Sequence, residues 1–158
     1  MHHAVGRDLG LAGEPDAGLA HRDRDVLARR RDLILKGDAD GFADLFAPDG
    51  VIELPFAGLP GFPPRLEGRE AIREHSRRLL GLPLRLEEFE IAELYLTQDP
   101  EVVIVEMRTT ATVTTTGQSF TATSIQILRI RDGHIVLFRD FPDPRVPEGV
   151  LDEPPAES

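Results

Sequence analysis

Cysteine is missing from the 158-residue chain, which excludes disulfide scaffolds, thiolate metal sites and cysteine nucleophiles together. No apolar run approaches the ~20 residues that a membrane-spanning helix needs, and the first residues, Met1-His2-His3-Ala4-Val5-Gly6-Arg7, lack the apolar stretch of a signal peptide. A cytoplasmic protein is therefore expected. Lysine occurs once, at Lys36, among 18 cationic residues facing 28 acidic ones. With a net charge of −10 and no basic stripe, neither nucleic acid nor an anionic membrane is an expected partner. Glycine-rich phosphate loops, HExxH-type helices and histidines at metal-ligand spacing are absent as well, so no cofactor and no metal are implied.

What remains is a chain with 41% apolar residues, sized for one domain with one core. Its ends differ from its middle. Residues 1–21, through Gly10, Gly13, Pro15 and Gly18, show no apolar period and read as a mobile arm. Residues 146–158, with Pro147, Pro154, Pro155 and four acidic side chains, read as a disordered acidic tail. The domain proper is expected over 22–145.

Within it, Asp23 is placed to cap a helix running to about Lys36, where Gly37 stops it. A short helix after Asp38 would bury Phe42, Leu45 and Phe46 and end near Pro48-Asp49-Gly50. Val51 to Leu54 reads as a brief strand, Pro55 to Pro64 as a proline-rich loop, and Gly68 to Leu80 as a third helix with Ile72 and Leu79 inward. From Arg85 the pattern changes to long β-branched runs, broken at Asp99-Pro100, Thr116-Gly117 and Asp132-Gly133. The fold class expected is α+β, three N-terminal helices packed on a strongly curved antiparallel sheet.

Asp38-Ala39-Asp40-Gly41-Phe42 through Gly50-Val51, then Leu66-Glu67-Gly68-Arg69-Glu70-Ala71-Ile72, then Arg131-Asp132-Gly133-His134-Ile135 resemble, in order and spacing, the NTF2-like or SnoaL-like superfamily. That resemblance, over about residues 22–145, implies a cone fold holding a small molecule. The steroid isomerases of the superfamily carry their base, oxyanion tyrosine and protonated aspartate where this chain has Leu54, Arg30 and Gln126, so their mechanism does not transfer. The limonene-type epoxide hydrolases match better on the last strand, Phe138-Arg139-Asp140-Phe141-Pro142-Asp143, but their remaining catalytic pair falls at Met107 and Thr109. The phenazine-pathway condensing proteins fit most closely. Thr97-Gln98-Asp99-Pro100, Arg73-Glu74-His75 and Arg139-Asp140-Phe141 match their pattern, and the resemblance implies an acid/base pair at His75 and Asp140. Where that branch has a hydroxyl, four residues after the histidine, this chain has Leu79.

The residues support part of this independently. Asp140 lies between Phe138 and Phe141-Pro142, where burial would raise a carboxyl pKa and suit it to proton transfer; the alternative is a structural carboxylate paired with Arg139 or Arg108. His75 shares an inward stripe with Ile72 and Leu79, as a core histidine also would. Arg30 shares a stripe with Val26 and Ile34 and can aim a cation into the pocket, or else belong to a solvated Arg29-Arg30-Arg31 run. Glu53 alternates with Ile52 and Leu54 and should point away from the pocket. Leu54, Phe56, Met107, Thr109, Gln126 and Phe138 complete the expected lining, with Arg30. Phe89, Ile91, Ile125, Ile127 and Phe141 cannot all share one sheet face with them, and an apolar outer face suggests a homodimer.

Together these readings predict a small hydrophobic organic ligand and cofactor-independent acid/base chemistry on it, of cyclase, isomerase, dehydratase or condensing type. A non-catalytic ligand-binding or accessory protein, and a limonene-type epoxide hydrolase, are the alternatives.

Overall fold

The computed structural model describes residues 19–56, 60–145 and 147–151. The arm expected over 1–21 therefore lies, up to residue 18, outside the described residues, while Leu19 is already part of the core. Helix α1 (His21–Lys36) turns Val26, Leu27 and Arg30 inward, the i, i+4 spacing that keeps side chains on one face. Ala20, not Asp23, is its N-cap. Asp23 stands in the first turn instead, near the positive end of the helix dipole. At the other end Gly37 adopts φ 73°, the left-handed turn that glycine enters without a Cβ clash.

Helix α2 (Ala39–Asp44) is capped by Asp38, whose carboxylate accepts the Gly41 N–H at 2.8 Å. It ends earlier than expected, because Phe46 already begins strand β1 (Phe46–Glu53). Pro48 sits inside that strand without an N–H to offer, and the register slips between Phe46 and Val51. After the proline-rich loop comes a three-residue strand, β2 (Arg65–Glu67), too short to leave a period in the sequence. Then follow α3 (Arg69–Leu80), β3 (Leu84–Leu96), β4 (Val102–Val113), β5 (Ser119–Arg131) and β6 (His134–Pro142).

Two expectations need correction here. The helices do not all precede the sheet, since β1 and β2 come between α2 and α3. Nor is the sheet wholly antiparallel: its order is β2-β1-β6-β5-β4-β3, and β1 runs parallel to β6. Register shifts between Leu86 and Glu88, Ile91 and Glu93, and Arg129 and Ile130 bend it, as bulges do by adding local twist.

One face of the curved sheet is the core. Val103, Leu128, Phe138, Ile52 and Leu66 form a row across five strands, all of them buried. Ile72 of α3 is fully buried, and Phe42 meets Phe46 edge-on at 5.3 Å between centroids. Each such side chain contributes roughly 1.5–3 kcal/mol by leaving water. Arg69 ties α3 to the irregular start of β1 by donating twice to the Phe46 carbonyl, at 2.9 and 2.6 Å.

The acidic tail also needs correction over part of its length. Residues 147–151 turn back onto the β4–β5 hairpin, where Val150 is buried and Thr115 Oγ1 donates to the Gly149 carbonyl at 3.0 Å. None of the described helices is long and apolar enough to cross a membrane.

Candidate active site

A cavity of about 410 Å³ opens between α1, α3 and the inner face of the sheet. Leucines dominate one side of it: Leu79 and Leu80 end α3, and Leu82, Leu84 and Leu86 lead into β3. Arg30 from α1 and Gln126 and Asp140 from the sheet contribute polar groups to its lining, and each is there for a reason of periodicity.

Gln126 and Asp140 are cross-strand partners on β5 and β6, so their side chains leave the sheet on the same face. Phe138 lies two residues before Asp140 and shares that face. Arg30 arrives from α1, one turn after Val26 and Leu27, and is 1% exposed. A buried guanidinium needs compensation, and three groups supply it. Gln126 Oε1 accepts a hydrogen bond from Nη2. The rings of Phe89 and Phe138 lie 5.3 and 5.0 Å from the guanidinium carbon, within cation–π range. Burial still pushes the Arg30 pKa down to about 10, against the pull of Asp140, so the group is a cation at neutral pH. Among the described residues its Nε finds no acceptor.

Asp140 is the complement. Removal from water pushes its pKa from 3.8 up to about 6, and the Arg30 charge, the Gln126 side chain and the Phe141 backbone N–H hold it from rising further. Oδ1 is sealed from solvent and has no hydrogen-bond partner among the described residues. An apolar chamber thus holds a carboxyl able to carry or release a proton near neutrality, next to a fixed cation.

Five of the residues expected from sequence line this cavity: Arg30, Thr109, Gln126, Phe138 and Asp140. Four do not. Met107 is 1% exposed, but inside the core rather than at the cavity. Leu54 packs against the same core, and Phe56 is 76% exposed, its ring edge against Phe141 at 5.4 Å. His75 is buried one position from Ser76, which does line the cavity, and its ring instead meets Phe62 edge-on at 5.4 Å. Burial and the nearby Arg78 charge hold its pKa below the ordinary histidine value. Asp140 is not among the groups that shift it. Glu53 faces outward as expected, accepting from Arg139 Nε at 2.9 Å and from Arg65.

Lys36 and Arg85 border the cavity without a signal in the sequence, and Phe89, grouped there with the residues that suggest an outer apolar face, lines the cavity instead. A signal for Phe89 exists: the inward apolar residues of β3 are 84, 86, 89, 91, 94 and 96, and each three-residue step coincides with a register shift. Among the described residues no cluster of three or more histidine and carboxylate side chains is arranged to hold a metal.

Comparison with known proteins gives a consistent picture. Residues 27–138 match the model of the SnoaL-like domain. An uncharacterised PhzA/B-like protein of Pseudomonas aeruginosa is 39% identical over 122 residues, covering 77% of this chain and 84% of that one. A Bacillus subtilis crystal structure, provisionally described as an isomerase, superposes with a TM-score of 0.71 at 28% identity, covering 78% of this chain and 87% of its own. The phenazine biosynthesis-related protein PhzB2 of P. aeruginosa shares the fold, with a TM-score of 0.58 at 20% identity, over 83% of this chain and 82% of its own.

Proposed function

Because the chain belongs to the SnoaL-like domain family, we propose that it binds a small, largely apolar organic molecule in the 410 Å³ cavity and performs cofactor-independent acid/base chemistry on it. The reaction class is isomerisation, cyclisation, dehydration or condensation, in each of which one proton is moved at or near a carbonyl or hydroxyl carbon. The observation that carries this reading is Asp140: a carboxyl with a pKa of about 6 that lines a largely apolar chamber beside a buried cation. Ionised, it removes a proton from the ligand; protonated, it returns one. Arg30, which lines the cavity as a buried cation, supports negative charge that develops on a ligand oxygen. His75 has no part in the proposal, because its ring is turned to Phe62.

The test uses a generic proton-transfer probe, 5-nitrobenzisoxazole. A base takes the C3 proton, the N–O bond breaks, and a coloured cyanophenolate forms. The rate should rise with pH around a midpoint of about 6, and Asp140→Asn should lower it by roughly 10²–10⁴-fold. A probe that binds and is not turned over by the wild type identifies a binding protein instead. Turnover unchanged in Asp140→Asn removes Asp140 from the chemistry.

A further inference from the structure

Strand β4 turns one row of side chains to the inner face of the sheet: Val103, Val105, Met107, Thr109, Ala111 and Val113. All of them except Thr109 are apolar and buried. Valine would fill the same shape at that position, so what threonine adds there is a hydroxyl. The outward threonines of the strand use theirs: Thr110 meets Thr121 at 3.3 Å, and Thr112 donates to Glu87 at 2.6 Å. Thr109 lines the cavity and makes no hydrogen bond with any described residue. The helical side repeats the pattern. Ser76 comes one turn after the fully buried Ile72, on the face that also brings Leu79 and Leu80 to the cavity. A serine inside a helix commonly bonds back to the carbonyl four residues earlier. Ser76, 3% exposed, has no such bond and no other partner among the described residues. Nor is its hydroxyl sealed in the packing, as Arg30 Nε and Asp140 Oδ1 are; the little surface it keeps opens on the cavity.

Burying a hydroxyl without a partner is unfavourable, and two such groups facing one cavity mark where a ligand completes them. We infer that Ser76 and Thr109 are specificity residues and that the ligand is an oxygenated molecule of two or more fused rings. Besides the group that reacts at Asp140, it carries at least one further hydroxyl or carbonyl oxygen, which these side chains hold. A hydroxyl both donates and accepts, so it suits either kind of oxygen. The length of the ligand follows from the register. Thr109 is paired with Ala122, and Asp140 with Gln126. Four residues separate these partners on β5, about 13 Å of strand, and β4 and β6 lie on either side of it. A single ring with its substituents is too short to reach from one to the other. Phe89 and Phe138, which also line the cavity, give a longer ring system faces to pack on. Held by an oxygen remote from Asp140, such a molecule presents one defined carbon to the carboxyl.

The inference rests on the reading of the cavity as a ligand site, and the experiment separates the two. The probes are naphthalene and 2,6-dihydroxynaphthalene, which share one skeleton and differ in two hydroxyls, each titrated by its own fluorescence. The diol should bind about tenfold tighter, as one or two net hydrogen bonds would make it. Ser76→Ala/Thr109→Val removes both hydroxyls and nearly keeps the volume; it should cost the diol about tenfold and leave naphthalene within twofold. The melting temperature of this variant should not fall, because the lost hydroxyls have no partner in the fold. A fall of several degrees assigns them a structural role and overturns the inference. Equal binding of the two probes by the wild type overturns it while leaving the ligand site intact. A diol advantage that survives in the double variant overturns it too, since the oxygens then rest on other groups. Failure of both probes to bind overturns the ligand-site reading and this inference with it.

Discussion

Replacing Asp140 by Asn should make the protein more stable at neutral pH, and the effect should vanish in acid. The carboxyl has a pKa of about 6 in the fold against an ordinary 3.8, so it binds its proton more tightly folded than unfolded. Below about pH 3 it is protonated in both states and contributes nothing to the pH dependence. As pH rises through the window from 3.8 to about 6, the unfolded chain releases the proton first, and folding stability falls. Two units at 1.36 kcal/mol each amount to about 3 kcal/mol lost by pH 8, and about 1 kcal/mol is already lost at pH 4.5. Asparagine has the shape of the protonated acid and never ionises. Urea unfolding of both proteins at pH 4.5, 6 and 8 should show Asp140→Asn gaining on the wild type across the series, to about 3 kcal/mol, or roughly 6–12 °C in Tm for a domain of this size. Other carboxylates titrate over the same range, which is why the difference between the proteins is the readout. A variant less stable than the wild type at pH 8, or a gap that does not change with pH, would refute the argument that Asp140 is ionised at a cost inside the cavity.

Arg30→Met keeps the packing between Phe89 and Phe138 and deletes the charge that holds the Asp140 pKa down. The Asp140 pKa should therefore rise above 6, as read from carboxyl ¹³C shifts during a pH titration; no change would mean that the two groups do not sense each other. On the outer sheet face Ile125 is 48% exposed and pairs with Phe141 across the strands. A homodimer burying this strip is the expected solution state, and light scattering that returns a single chain of 17.5 kDa at micromolar concentration excludes it.

Most of the architecture was legible because it depends on punctuation and period. The left-handed turn at Gly37 and the hairpin at Asp132-Gly133 are local chemistry, and both are found where the residues predict them. Strand β2 was not legible, since three residues cannot display an alternation. Its existence depends on Leu66 pairing with Ile52. The cavity divides along the same line. Asp140, Gln126 and Phe138 follow from strict alternation on β5 and β6, and Thr109 lies at a matching position on β4. Met107 obeys the alternation too and fails as a lining residue for another reason: the cavity does not extend along the whole inner face, and where α1 and α3 close over the sheet is a three-dimensional fact. Arg30 shows the opposite case. In sequence its stripe with Val26 and Ile34 leaves open both an inward cation and a solvated arginine run, and the packing of α1 against β3 decides for the first.

Strand β6 places Arg139 and Asp140 side by side in sequence and on opposite sides of the sheet, one held by Glu53 on the outside and the other lining the cavity. The peptide chain is thus the insulator that keeps an arginine from neutralising the acid next to it. This makes the site tolerant of substitutions but brittle towards changes of length. A single codon lost between the Asp132-Gly133 turn and Asp140 would exchange the two faces, putting a second cation opposite Arg30 and leaving Glu53 against a carboxylate. Descendants of this chain can therefore explore new chemistry by replacing Asp140, Gln126 or Thr109 one at a time. Insertions and deletions should be confined to the loops and the ends.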